Sequence, residues 1–364
     1  MGQVRLDNIW KLYGEFEAVK GISLEIHDGE FVSLLGPSGC GKTSTLRMIA
    51  GLEEISRGTA YIDGIEINHL DPGDRHVAMA FESYALYPHL NVFENVAYPL
   101  RIRKIPEIEI TERVNKICDS LGITKYLDEY PSALSGGAQQ RTGLARALIR
   151  PAAVYLLDEV LSHLDATERT MLRAEVRRIQ KLMKLTALFV THDQLEALAV
   201  SDRIIVMNDG EIQQIGTPEE IYDTPSNLFV AGFVGEPPMN IVKVQRTKEN
   251  GGSFLELGGK KYSVESLGFP WIPDMDEFFL AIRPKNISRT DAKDPKGLSG
   301  EIHTFEMLGD HTLSSIELGE GVLVFMIEDF DQRLELDQKI SVVMDPEWVL
   351  FYDPDDGVLL RRPF

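Results

Sequence analysis

GPSGCGKT, Gly36 to Thr43, fits the spacing G-x-x-x-x-G-K-[ST]. The run before it, GEFVSLLG, reads as a buried strand ending at glycine. The run after it, GKTSTLRMIAGL, reads as a helix. A strand, a glycine loop and a helix in that order form a nucleotide-binding α/β unit. The glycines let the backbone close around phosphate groups with its N–H donors turned inward, and the helix start adds the positive end of its dipole. Lys42 is placed to reach β- and γ-phosphates, and the Thr43 hydroxyl to ligate Mg²⁺. Gly36, Pro37, Ser38, Gly39, Cys40, Gly41, Lys42, Thr43 and Ser44 are therefore the candidate phosphate contacts, with ATP and Mg²⁺ as the expected ligands.

Working outward, VYLLDE (154–159) is an apolar strand ending in two acids. Downstream of a phosphate loop, that pattern places Asp158 near a Mg²⁺ shell and Glu159 where it can polarise an attacking water. TALFVTHD reads as another buried strand, and ERTMLRAEVRRIQKLMK and QLEALAVS as helices. Residues 85–150 are more helical, with VNKICDSL and QQRTGLARALI at amphipathic spacing. IIVMNDGEIQQIG reads as a hairpin turning at Asp209-Gly210. The paired prolines of GEPPMN, near 235–240, suggest a linker. Beyond it, SFLELG, KKYSV, FFLAIRP, TLSSIELG, VLVFMI and KISVVM are short β-like runs. The expected division is 1–235 and 236–364.

The 364 residues suffice for two or three domains at about 100–200 residues each. With 37 basic and 57 acidic residues the formal net charge is −20, which disfavours non-specific nucleic-acid binding. Two cysteines, Cys40 and Cys118, do not suggest a disulfide framework. No run reaches the ~18 apolar residues of a spanning helix, so a membrane role is expected to come through a partner.

LSGGAQQR (134–141), joined to GPSGCGKT, VYLLDE and VTHD (190–193), resembles the ABC-transporter ATPase subunits. AIRPKNI and FYDPDDG in the tail resemble the OB-like regulatory domain of importer ATPases of the maltose and glycerol-phosphate type. The resemblance implies an α/β fold: a P-loop ABC nucleotide-binding domain with a helical subdomain near 85–150, followed by a small all-β OB-like domain. It implies that Ser135, Gly136 and Gly137 contact the γ-phosphate held by a second subunit, and that His192 is the switch histidine that senses the γ-phosphate and orients the water. It further implies that Tyr13 stacks on adenine, that residue 82 touches Mg²⁺ together with Thr43 and Asp158, and that Asp165 lies in a loop coupling the two sites. The implied partners are a second ATPase subunit, membrane-spanning permease subunits docking on Glu82 to Pro99, and indirectly a periplasmic or lipid-anchored solute-binding protein. The implied location is cytoplasmic, on the inner face of the cell membrane. The cargo would be a sugar, polyol, glycerol or glycerol phosphate. Glu168 and Glu175 read as a solvated helix face, and Cys40 as a small residue the loop tolerates.

Four positions depart from the family pattern: Glu82 stands for glutamine, Val160 for proline, His163 for alanine and Ala138 for glutamine. They cluster at interface and coupling loops and spare Lys42, Asp158, Glu159 and His192. The competing readings are a poorly hydrolysing regulatory subunit and a soluble ABC ATPase outside transport. An unequal pair is the further expectation, with this chain as one half. The isolated chain should then release phosphate slowly and accelerate when a more typical ATPase subunit is added; full cooperative turnover by this chain alone counts against the pairing.

Overall fold

The computed structural model describes residues 2–162, 164–249, 252–329 and 334–360, so His163 lies outside the described residues. The chain divides into two compact units, Met1–Pro218 and Glu219–Phe364.

The first unit opens with β1 (Val4–Tyr13) and β2 (Phe16–Ile26), followed by β3 (Phe31–Leu35), α1 (Lys42–Ala50), β4 (Arg57–Ile62), β5 (Ile65–Glu66) and β6 (Val77–Ala80). Then come α2 (Val92–Ile102), α3 (Glu107–Ser120), α4 (Gly136–Leu148), β7 (Val154–Asp158), α5 (Ala166–Met183), β8 (Thr186–Thr191), α6 (Gln194–Val200), β9 (Arg203–Asn208) and β10 (Glu211–Gly216). β2, β1, β4 and β5 form an antiparallel sheet. β10-β9-β3-β8-β7-β6 form a second sheet, parallel except for the β9–β10 hairpin. β3, β7 and β8 are buried at every residue, as expected of parallel strands covered on both faces. The hairpin turns at Asp209-Gly210, both with positive φ (47° and 82°), the geometry that Asp-Gly accommodates in a type I′ turn.

Sequence chemistry sets the helix starts. Asn91 accepts from the Glu94 N–H at 2.8 Å while Glu94 reaches back to the Asn91 N–H, closing a capping box on α2. Asp165 caps α5, whose Leu172, Val176 and Ile179 are buried at helical spacing. Two cores result. One gathers α1 and the strands around the phosphate loop, including Leu34, Cys40, Leu46 and Val190. The other gathers α2 to α5, including Val96, Val114, Ala138, Leu144 and Leu172.

The second unit begins earlier than the GEPPMN boundary expected from the prolines. Residues 219–235 pack with the later β-rich chain, through α7 (Pro218–Asp223) and α8 (Leu228–Phe233). Ala231 joins a small core with Met239, Ala281, Leu350 and Tyr352. Arg283, 1% exposed, donates to the carbonyls of Tyr222 (2.6 Å) and Val234 and lies over the Tyr222 ring. A proline pair marked a bend within the unit, the Glu236–Pro237 peptide being cis, rather than its edge.

Here β11 (Asn240–Glu249), β12 (Gly252–Leu257), β13 (Lys260–Ser263), α9 (Val264–Leu267), β14 (Glu277–Ile282), β15 (Ile287–Thr290), β16 (Leu298–Met307), β17 (His311–Gly319), β18 (Val322–Asp329), β19 (Lys339–Met344) and β20 (Leu350–Tyr352) make two five-stranded sheets. Val244, Leu280, Ile302, Val324 and Val342 share one core, so the β-rich tail is a single domain. The sequence reading missed β11, the central strand of its sheet, because its apolar residues Ile241, Val242 and Val244 are followed by QRTKE, which carries no apolar alternation.

A fragment 219–364 is expected to unfold cooperatively. A fragment 236–364, lacking the Tyr222 and Val234 carbonyls that satisfy Arg283, should be less stable by about 3 kcal/mol or more in urea unfolding.

Candidate active site

The register of the parallel sheet brings the candidate residues to one edge. Leu35 of β3 pairs with Thr191 of β8, Val190 pairs with Asp158 of β7, and Leu157 pairs with Ala80 of β6. The next residues along each strand are Gly36, His192, Glu159 and the segment reaching Glu82. Ligand sites in open α/β sheets form at such carboxyl ends.

The phosphate loop needs its glycines for two separate reasons. Gly41 has φ 102° and stands at the start of α1, where a Cβ would lie 2.5 Å from the Ala18 carbonyl oxygen. Gly39 has φ 81° with nothing within 4 Å of a Cβ, so backbone conformation alone selects it. Lys42 is 5% exposed and its ammonium donates to the Gly36 (2.8 Å) and Pro37 (2.9 Å) carbonyls, which holds the charge over the loop. The Cys40 Sγ sits beneath the loop, 3.8 Å from Lys42 Nζ. Burial raises its thiol pKa although Lys42 opposes the rise, consistent with a packed residue rather than a redox group. Pro37 is half-buried and Ser38 is exposed.

Asp158, 6% exposed, bonds the Thr43 side chain. Burial holds its carboxyl above the ordinary range, with Arg47 opposing and the nearby Glu159 and Glu82 adding to the rise. Thr43, Asp158 and Glu82 offer hard oxygen donors, the chemistry Mg²⁺ prefers. Among the described residues no group of three His, Cys, Asp or Glu could hold a metal by itself.

Glu159 has φ 46°, a conformation costing about 1–3 kcal/mol for a residue with a side chain. Its N–H donates to the Val190 carbonyl at 3.0 Å, which clamps it to β8. Its Oε2 lies 3.1 Å from His192 Nδ1, so the candidate base and the candidate sensor are in hydrogen-bond contact. Val160, where proline is usual, is buried and its carbonyl accepts from Gln140 of α4.

Tyr13 is 46% exposed, and its hydroxyl lies 3.2 Å from Ser44 Oγ and bonds Glu53. The Lys11 ammonium lies over its ring, 4.9 Å from the centroid, a cation–π contact. Ser135 caps α4, its Oγ accepting from the Ala138 N–H at 3.3 Å. Gly136 is exposed at the first turn. A Cβ on Gly137 would lie 2.7 Å from a Glu168 carboxylate oxygen, so the Glu168 side chain would have to move aside. Glu168 is therefore a half-buried neighbour of the signature and not part of a solvated face, which corrects the sequence reading. The spacing Asp165-x-x-Glu168 marks an N-cap and its N3 position but carries no signal for the contact with Gly137. Glu175 is half-buried and pairs with Arg178. The reading also missed Tyr84, whose carbonyl accepts from Arg146 at 2.9 Å and whose hydroxyl is 3.7 Å from where a Gly136 Cβ would stand.

The ABC transporter family model matches residues 19–162, and the TOBE domain model matches 280–351. The trehalose/maltose import ATP-binding protein MalK of Thermococcus litoralis is 40% identical over 372 residues, 98% of this chain and 99% of that protein. This chain belongs to the ABC transporter ATP-binding proteins. The oligosaccharides import ATP-binding protein MsmX of Bacillus subtilis is also 40% identical over 372 residues, 99% of this chain and all (100%) of that protein. The ATP-binding cassette MJ0796, solved as a dimer in a post-hydrolysis state with ADP and Pi, is 32% identical with a TM-score of 0.55, covering 59% of this chain and 98% of that one. The expected architecture, an ABC ATPase followed by an OB-like β domain, is the observed one. The chain is an ABC ATPase, and ATP is its nucleotide.

Glu159→Gln should bind ATP near wild-type affinity while phosphate release falls by about 10²-fold or more. Lys42→Ala should weaken ATP binding itself. Equilibrium binding and phosphate-release assays on the two variants separate the roles.

Proposed function

We propose that this chain hydrolyses ATP to drive import of a small polar solute, a sugar, polyol, glycerol or glycerol phosphate, through membrane permease subunits. The carrying observation is the alignment of Asp158, Glu159 and His192 at adjacent strand ends, with Lys42 at the start of the helix that follows β3, in a chain whose full-length relatives are import ATP-binding proteins. Relatives named for trehalose/maltose, oligosaccharides and sn-glycerol-3-phosphate support that solute range and favour transport over a soluble role outside it.

In the proposed chemistry, the loop N–H groups and Lys42 hold the β- and γ-phosphates, and Glu159 polarises the attacking water while His192 orients Glu159. Tyr13 stacks on the adenine. Thr43, Asp158 and Glu82 would hold Mg²⁺, which when bound neutralises phosphate charge. Ser135, Gly136 and Gly137 at the start of α4 form the anion edge offered to a second subunit's γ-phosphate. Two subunits then close around ATP, because ATP binds the closed arrangement better, and reopen after hydrolysis.

A groove lined by Phe81, Tyr87, Tyr98, Ile102, Arg146 and Arg150 is the proposed permease seat. It covers part of the Glu82–Pro99 segment and extends to α4. Arg146 Nη1 and Arg150 Nε are buried in its wall with no hydrogen-bond partner among the described residues. Among the described residues no helix is long and apolar enough to cross a membrane, which supports a peripheral position on the inner membrane face. The solute-binding protein would act through the permease.

Ile102 is 65% exposed at the groove. Ile102→Glu should leave ATP binding intact while permease co-purification and solute uptake fall by about tenfold or more. Unchanged uptake by this variant argues against the groove as the seat.

A further inference from the structure

The Arg169 guanidinium on the first turn of α5 bridges two loops that the reaction uses. Its Nη2 donates to the Leu164 carbonyl at 3.2 Å and the Ser162 carbonyl at 3.4 Å, both in the loop that ends at Asp165. Its Nη1 donates to Asp193 Oδ2 at 3.1 Å, one residue beyond His192. Its Nε lies 3.7 Å from Oε1 of Glu196, which is 2% exposed.

The far side of this bridge is a closed ring of hydrogen bonds around the histidine. The Asp193 N–H donates to Thr191 Oγ1 at 3.0 Å, the Thr191 hydroxyl donates to Glu196 Oε2 at 2.6 Å, and the Glu196 N–H donates to Asp193 Oδ1 at 3.1 Å. Both chain neighbours of His192 are thus fixed, leaving its ring to reach Glu159 Oε2. The Glu196 carboxyl is pushed above the usual range chiefly by burial, so its one guanidinium neighbour matters to the ring's stability. A planar fork can donate to two carbonyls and to Asp193 at once while its Nε, with no hydrogen-bond partner among the described residues, keeps its charge 3.7 Å from Glu196; an ammonium cannot hold that geometry.

We propose that Arg169 is a positioning residue that couples the 161–165 loop to His192, so that displacement of the loop by a second subunit is passed to the Glu159–His192 pair. The inference rests on the roles proposed above for Glu159 and His192. A guanidinium placed only for stability would hold α5 to α6 and have no specific link to the histidine.

The test uses the full-length chain assembled with its permease. MgATP binding and steady-state phosphate release are measured for wild type, Arg169→Lys, Arg169→Ala, His192→Gln and the double variant Arg169→Lys/His192→Gln. Arg169→Lys should bind MgATP within about twofold of wild type, with KM little changed, while kcat falls about tenfold. The double variant should be no slower than His192→Gln within about twofold, since both changes act on one element. Arg169→Ala should lose at least as much turnover as Arg169→Lys; if it also loses nucleotide binding through misfolding, the lysine variant carries the comparison. Wild-type kcat in Arg169→Lys overturns the proposal, as do losses that multiply in the double variant. A wild-type assembly that binds no MgATP overturns the functional reading itself, a result distinct from either of these.

Discussion

The parallel pairing of β3, β8, β7 and β6 is the constraint from which the site follows. Each strand is an apolar run, and its register with the next is locked because a slip by one residue would turn buried side chains outward. With that register in place, the first residues past each strand emerge at one level. Gly36, His192 and Glu159 then meet without any of them specifying the others. The Glu159 N–H bond to the Val190 carbonyl continues the ladder one residue past β7 and holds the glutamate in its left-handed conformation.

The electrostatics at this edge are a local arrangement within an acidic chain. Burial raises the Asp158 carboxyl, Arg47 opposes the rise, Glu159 and Glu82 add to it, and Lys42 places a positive charge over the loop. Backbone N–H donors and the start of α1 add positive potential without changing net charge. A chain of formal charge −20 can therefore hold a polyphosphate at one edge. Glu82 in place of the usual glutamine raises the negative charge there and makes a divalent cation more important to the balance.

The signature serine and glycines belong to the other core of the first unit. Helix α4 is embedded among α2, α3 and α5, so its position depends on a different set of apolar contacts from those that place the phosphate loop. Gln140 donates to the Val160 carbonyl, Arg146 donates to the Tyr84 carbonyl, and Glu168 lies against Gly137, which ties α4 to the segments after β7 and β6 and to α5. Tyr84 and Ala85 both carry positive φ (59° and 47°), so the segment between β6 and the groove holds backbone strain next to those contacts. A region joined in this way suits a role in which one part senses nucleotide and another senses a partner.

The sequence by itself determined the nucleotide chemistry and most element types. GPSGCGKT, VYLLDE and VTHD carry their meaning in spacing, because phosphate cradles and strand-end acids need particular residues at particular intervals. Buried strands and amphipathic helices were legible for a similar local reason, as was the Asp209-Gly210 turn. Tertiary structure alone decided the relations between distant segments. It placed Glu168 against Gly137, wove Arg169 between two loops, put β11 at the centre of its sheet, and assigned residues 219–235 to the β-rich unit. These depend on which side chain fills the space beside another, or which carbonyl satisfies a buried guanidinium. Residues far apart in the chain make those contacts, so no local pattern records them.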